Sequence, residues 1–178
     1  MSKPDESRLF LPVNIAIITV SDTRTQADDK SGNILDKMIK EDGHNIAART
    51  IIKDDLPDLI SGLNKLINDP NIDVIITTGG TGVTGRDTTP EAIKEVMEKE
   101  IDGFGELFRW ISYAKIGTST MQSRAIGGVS KGTYLFALPG SPSACKDGWG
   151  EILRSQLDNR HRPCNLVELM PRLQEHLP

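Results

Sequence analysis

From Asp73 to Pro90 the chain reads Asp-Val-Ile-Ile-Thr-Thr-Gly-Gly-Thr-Gly-Val-Thr-Gly-Arg-Asp-Thr-Thr-Pro. Gly79, Gly80, Gly82 and Gly85 alternate with threonines there. Glycines this dense let backbone N–H groups turn inward and approach a ligand with no Cβ in the way, which is how proteins cradle phosphates and other anions. Asp87 is the odd member: a carboxylate in an anion cradle needs either a metal ion or a cationic neighbour. Three more polar segments follow apolar runs in the same manner. Ser21-Asp22 follows Val13 to Val20, Asp54-Asp55 follows His44 to Ile52, and Pro139-Gly140-Ser141-Pro142 follows Thr133 to Leu138. Asp55 suits a helix cap, which leaves Asp54 free for a cation.

These segments need a frame that brings them together. The run Val74 to Ile76, like Val13 to Val20 and Thr133 to Leu138, has the composition of a strand buried on both faces. Ser31 reads as the N-cap of a helix with Ile34, Leu35, Met38 and Ile39 inward and Gly43 as its stop. Pro57 lies in the first turn of a second helix, whose buried stripe is Leu59, Ile60, Leu63, Leu66 and Ile67. Thr89-Pro90 opens a helix from Glu91 to Glu100, and Phe104 to Tyr113 forms an apolar one suited to core or subunit contacts. Lys115 to Gly128 is less regular. Ser141 caps a last helix with Pro142 at its first position, in which Gly148 and Gly150 mark close packing. Strands alternating with helices at this spacing predict a three-layer αβα sandwich with a mostly parallel sheet. In such a fold ligands collect beyond the carboxyl ends of the strands, so the four polar segments converge on one rim and make one site.

Two nucleotide motifs match the letters of the loop and fail on context. Gly80 to Gly85 fits G-x-G-x-x-G, but it follows the third strand, several polar residues intervene before Pro90, and Gly-Phe-Gly-Glu rather than a strand is expected after its helix. It also imitates a P-loop, yet Arg86 and Asp87 stand where the lysine and the metal-binding hydroxyl belong. His44, His161 and His176 have no partners at catalytic spacing, and neither Ser123 nor Ser141 has an evident base.

With 178 residues, 37% hydrophobic and 26% charged, the chain fits a single globular domain of residues 1–178, with an N-terminal extension over 1–12 and a tail over 159–178 that packs on the domain or a neighbouring subunit. A formal net charge of -4 argues against a nucleic-acid footprint. Two cysteines without a C-x-x-C pattern, no signal-like start and no long apolar run indicate a cytoplasmic protein that no membrane holds.

Ile-Ala-Ile-Ile-Thr-Val-Ser-Asp-Thr, Thr-Thr-Gly-Gly-Thr-Gly with Arg86-Asp87 and Thr89-Pro90, Gly-Phe-Gly-Glu-Leu-Phe-Arg and Leu-Pro-Gly-Ser-Pro together resemble the MoaB/MogA family of molybdenum cofactor biosynthesis. Gly117-Thr118-Ser119-Thr120, Gln122-Ser123-Arg124 and Arg162-Pro163-Cys164-Asn165 look more like MoaB than MogA. The resemblance implies trimers or hexamers, contacts with other cofactor-assembly proteins, and adenylyl transfer. Molybdopterin and ATP with Mg²⁺ would give adenylylated molybdopterin and pyrophosphate. It also implies that Gly79, Gly80, Thr81 and Gly82, beside Thr78, hold phosphate and pterin groups. Asp54 and Asp87 match the family's acidic positions, with Asp54 as the Mg²⁺ ligand. Ser21, Asp22, Gly140 and Ser141 match other rim positions. The alternative is a catalytically silent pterin-binding paralogue.

Overall fold

A computed structural model describes residues 4–177. Its sheet has six strands, β1 (Asn14–Val20), β2 (Asn45–Ile52), β3 (Val74–Thr78), β4 (Lys99–Glu100), β5 (Ile126–Ser130) and β6 (Thr133–Leu138), in the order β2-β1-β3-β6-β5-β4. The first four strands of that order are parallel, and β5 and β4 close the edge antiparallel. The helices are α1 (Lys30–Glu41), α2 (Leu56–Ile67), α3 (Thr89–Val96), α4 (Asp102–Ile116) and α5 (Pro142–Asp147).

Side chains alternate across the sheet with the period of two that strands impose. Ile15, Ile17, Val74, Ile76, Tyr134, Phe136 and Leu138 pack on one face with Leu35, Ile39, Phe104, Phe108, Trp149 and Leu153. Ala16, Ile18, Val20, Ile75, Leu135 and Ala137 pack on the other with Leu59, Leu63, Ala92 and Ile93. Both faces are therefore apolar, and the three-layer αβα arrangement follows. Register then sets the rim: Val20 lies beside Ile52, Thr19 beside Thr78, and Thr78 beside Leu138. The segments after these residues must leave the sheet on one edge.

Four expectations are corrected. The α1 N-cap is Asp29, whose carboxylate accepts from the Gly32 N–H, because Ser31 turns its hydroxyl to the Gly140 carbonyl at 2.8 Å. The helix from Thr89 stops at Val96, and Lys99 and Glu100 pair with Val129 and Gly128 instead. The irregular section holds the end of α4, a 3₁₀ turn (Gly117–Gln122) and the start of β5. β5 escaped notice because Gly127 and Gly128 dilute it. The two-residue turn Lys131-Gly132, with both φ values positive at 47° and 85°, is nevertheless a hairpin signal. Finally, only Gly148 is closely packed, since a Cβ there would overlap the buried Leu138 side chain. At Gly150 the nearest atom would be Met38 Cε, at an ordinary 3.7 Å. Both glycines lie in a π-helical turn (Gly148–Leu153) that continues α5.

The two chain ends pack against each other. Asn159 donates to the Leu9 carbonyl and accepts from the Leu11 N–H, and Arg160 lies over the Phe10 ring. Val167 sits in the core, and the Tyr134 hydroxyl donates to the Leu166 carbonyl at 2.9 Å. Residues 1–3 of the N-terminal extension and Pro178 of the tail lie outside the described residues.

Candidate active site

Beyond β3 the chain turns at Gly79 and Gly80, both with positive φ (109° and 63°). A side chain at Gly79 would run into the Val20 carbonyl, and one at Gly80 would meet Thr89 and come within 2.9 Å of Asp54 Oδ1. Only glycine meets both demands. Thr89, at the start of α3, takes the Gly79 carbonyl with its hydroxyl (2.8 Å) and the Gly80 carbonyl with its N–H (3.0 Å). In trans peptides the N–H opposes the C=O, so the N–H groups of Gly80 and Thr81 point away from Thr89.

A cavity of about 470 Å³ opens over this turn. Gly79, Gly80, Thr81, Gly82 and Asp87 form one side of it, and Pro139, Gly140, Ser141, Ser143 and Asp147 another. Phe108, Ser112, Lys115, Ser119, Gln122 and Ser123 also line it. Ser141 caps α5 by accepting from the Ala144 N–H at 3.2 Å, as its position before Pro142 predicted.

Ser21, Asp22, Asp54 and Thr78 are at the rim but do not line this cavity. Thr78 is buried and donates to the Pro139 carbonyl at 3.1 Å, tying the end of β3 to the loop after β6. The Ser21 hydroxyl accepts from the N–H groups of Thr23 and Arg24, which fixes the turn after β1. Asp22 accepts from the Asp54 N–H at 3.3 Å and from Arg86 Nη2 at 2.5 Å. Those two bonds link the ends of β1 and β2 to the glycine loop.

The two acidic residues have opposite electrostatics. Asp54 is half-buried at the end of β2, beside Gly80. Burial raises its pKa above 3.8, repulsion from Asp22 and Asp87 adds to this, and Arg86 only partly offsets it. For Asp87, burial also acts upward. Hydrogen bonds from the Thr84 hydroxyl (2.6 Å) and N–H (2.9 Å), from the Gly82 backbone, and the charge of Arg124 outweigh it and hold the pKa low. Asp87 has found donors and a cationic neighbour; Asp54 remains short of positive charge.

The sequence reading did not assign Ser112, Lys115, Ser119, Gln122, Ser143 or Asp147 to the site. A signal was present. Phe104 and Phe108 point into the core from α4, and Ser112 and Lys115 continue that face toward the helix end, where it meets the cavity. Lys115 Nζ lies 2.6 Å from Asp147 Oδ1, and that hydrogen bond raises the lysine pKa. Arg109, three residues from Glu106, donates instead to the Ala125 carbonyl at 3.3 Å.

Fold and site together define a doubly wound α/β domain with a glycine-lined cleft at the carboxyl ends of its parallel strands. A family model described as a probable molybdopterin binding domain matches residues 16–159. Molybdenum cofactor biosynthesis protein B of Escherichia coli (strain K12) is 44% identical over 156 residues, which are 88% of this chain and 92% of that protein. A crystal structure of a molybdenum cofactor biosynthesis protein B superposes with a TM-score of 0.85 at 38% identity, covering 94% of this chain and 99% of that one. The tungsten cofactor synthesizing protein MoaB from Pyrococcus furiosus gives 0.75 at 36% identity, with 82% and 92% covered. The chain belongs to the MoaB/MogA family of molybdenum cofactor biosynthesis proteins.

Proposed function

We propose that this chain acts in molybdenum cofactor biosynthesis as a Mg²⁺-dependent molybdopterin adenylyltransferase, turning molybdopterin and ATP into adenylylated molybdopterin and pyrophosphate. The observation that carries the reading is the placement of Asp54 and Asp87 against the same short turn. Asp54 lies by Gly80, and Asp87 lies where a Cβ on Gly82 would come within 2.8 Å of its Oδ2. A turn rich in backbone N–H groups suits phosphates, and an under-compensated carboxylate beside it suits the cation that accompanies them.

In the reaction an oxygen of the pterin's terminal phosphate attacks the α-phosphorus of ATP. The new P–O bond forms as the bond to the β-phosphate oxygen breaks, and pyrophosphate leaves with that oxygen. Two anionic partners must be held in line, and no protein nucleophile takes part. Gly79, Gly80, Thr81 and Gly82 bind phosphate and pterin groups, assisted by Gly140 and Ser141 on the opposite side. Ser21, Asp22 and Thr78 act through their neighbours by fixing the loops. Asp87 is a fixed acceptor for pterin amino groups or metal-bound water. Mg²⁺, when bound, supplies charge neutralisation for the triphosphate. No group of three or more His, Cys, Asp or Glu that could hold a metal occurs among the described residues. Mg²⁺ is usually held by one or two carboxylates with waters and substrate phosphates completing its shell. Asp54 is the residue to hold it.

Incubating the protein with molybdopterin, ATP and Mg²⁺ is expected to release pyrophosphate and give adenylylated molybdopterin, with neither product in EDTA. Pterin binding without product would assign the chain as a silent pterin-binding paralogue. Absence of pterin binding would reject both readings.

We further propose that the protein works in the cytoplasm as a homo-oligomer, trimer or hexamer, beside other cofactor-assembly proteins. Its free cysteines, Cys145 and Cys164, accord with a reducing compartment. No helix among the described residues is long and apolar enough to cross a membrane. Trp110 (74% exposed), Tyr113 and Met121 (80% exposed) make an apolar surface on and after α4 that subunit contacts would cover. Light scattering is expected to give a multiple of three chains, and a monomer at micromolar concentration would exclude the assembly.

A further inference from the structure

Asp87 owes its donors to the course of the loop around it, and one residue outside the cavity holds that course. Arg124, just before β5, contacts the loop three times and the start of α3 once. Its N–H donates to the Thr81 carbonyl at 3.1 Å, Nε to the Gly82 carbonyl at 2.6 Å and Nη2 to the Asp87 carbonyl at 2.6 Å. Nη1 pairs with Glu91 in the first turn of α3. Arg124 does not line the cleft; it lines a separate groove with Pro90, Glu91 and Arg109.

Peptide geometry makes these contacts directional. Each carbonyl drawn toward Arg124 turns the following N–H the other way. The bond from the Arg124 backbone N–H to the Thr81 carbonyl turns the Gly82 N–H toward the Asp87 carboxylate, while the guanidinium pins the Gly82 and Asp87 carbonyls and so fixes the register in which Thr84 closes on the same carboxylate. A planar guanidinium reaches two carbonyls and a carboxylate at once, which a lysine ammonium on a single stem does not. We infer that Arg124 is a positioning residue that shapes the loop 81–87 from outside the cleft and sets where Asp87 and the Gly82 backbone stand toward the ligand. Its consequence for turnover rests on the adenylyl-transfer reading; its consequence for the loop does not.

Arg124→Ala and Arg124→Lys test this through two readouts. By NMR, solvent exchange at the Thr84 amide is expected to rise roughly tenfold in Arg124→Ala, and less in Arg124→Lys, as its bond to Asp87 weakens, while the Gly82 amide, oriented through a backbone bond that both variants keep, changes less. In steady-state adenylyl transfer, kcat is expected to fall about 10²-fold with KM for ATP within roughly threefold, the size of effect a small misplacement of reacting groups produces. Millimolar methylguanidinium should restore part of both in Arg124→Ala. Unchanged exchange at the Thr84 amide in the folded variant, with no rescue, overturns the inference even if activity drops, because the residue is then merely structural. A wild type without transferase activity rejects the adenylyl-transfer reading and leaves the exchange readout to decide this one. Should Arg124→Ala fail to fold, Arg124→Lys decides on the same measurements.

Discussion

Asp54→Asn is expected to lower adenylyl transfer by on the order of 10²–10³-fold while leaving the apoprotein more stable than wild type. The first effect has the size found when one preorganised electrostatic partner of a transition state is removed. The second follows from its neighbours. Asp54 sits with Asp22 and Asp87 near enough to repel it, and burial and that repulsion raise its folded-state pKa above 3.8. A carboxylate with a raised folded pKa binds its proton more tightly folded than unfolded, so it costs stability above the folded pKa. That cost is relieved as pH falls through the folded pKa toward 3.8. An amide at this position removes the cost at neutral pH, and thermal unfolding without Mg²⁺ should show a higher Tm for the variant. Addition of Mg²⁺ and ATP should stabilise wild type and not Asp54→Asn, reversing the order. A variant that keeps its turnover, or one whose apoprotein melts below wild type at pH 7, contradicts the assignment. Sites held under strain by their function commonly gain stability when that function is removed.

Much of this site was legible in the sequence because strand ends are. Four apolar runs ending in polar segments, in a chain of alternating strands and helices, are enough to put Ser21, Asp54, Gly79 and Gly140 on one rim. The glycine spacing pointed to a backbone cradle, and Asp55 caps α2 as its position suggested, accepting from the Asp58 N–H at 3.2 Å, while Asp54 stands beside Gly80. What stayed hidden depends on side chains that meet only in three dimensions. Asp87 looked like a misfit because its cationic neighbour, Arg124, lies 37 residues away in sequence. Ser31 looked like the α1 cap because it has the right side chain in the right place, but Asp29 has a stronger acceptor and Ser31 is drawn to Gly140. The wall formed by Ser112 and Lys115 was missed because α4 reads as an apolar helix until its last turns. Local chemistry announces itself in sequence; a partner on another element does not.

The largest stability effect is expected from Asp29, the N-cap of α1. Asp29 is fully buried, and its carboxylate accepts from the Thr19 hydroxyl (2.7 Å), Arg49 Nη2 (2.9 Å) and the Gly32 N–H (2.9 Å). Arg24 Nη1 lies 3.8 Å away and also reaches Ser31, whose hydroxyl holds the Gly140 carbonyl of the cleft. Asp29→Ala removes the α1 cap and leaves Arg49, whose buried Nε already has no partner, without its counter-charge. Stranding one member of a buried ion pair costs about 3–5 kcal/mol, and the lower end applies here because the Arg49 side chain is 21% exposed. For a chain of this length that is a fall in Tm of roughly 10 °C, measured by calorimetry. Asp29→Asn keeps the shape and part of the hydrogen bonding and should lose less. The pH dependence separates charge from cavity. Burial opposes ionisation of Asp29, but Thr19, Arg49 and Gly32 overcome it and hold the folded pKa below 3.8. Its contribution is therefore complete above the unfolded pKa, begins to fade as pH drops past 3.8, and is gone below the folded pKa. The gap between wild type and Asp29→Asn in urea unfolding should be constant from neutral pH to about pH 5 and close at lower pH. A gap that persists unchanged in acid would mean that Asp29 stabilises through its shape and its cap, and that Arg49 does not depend on its charge.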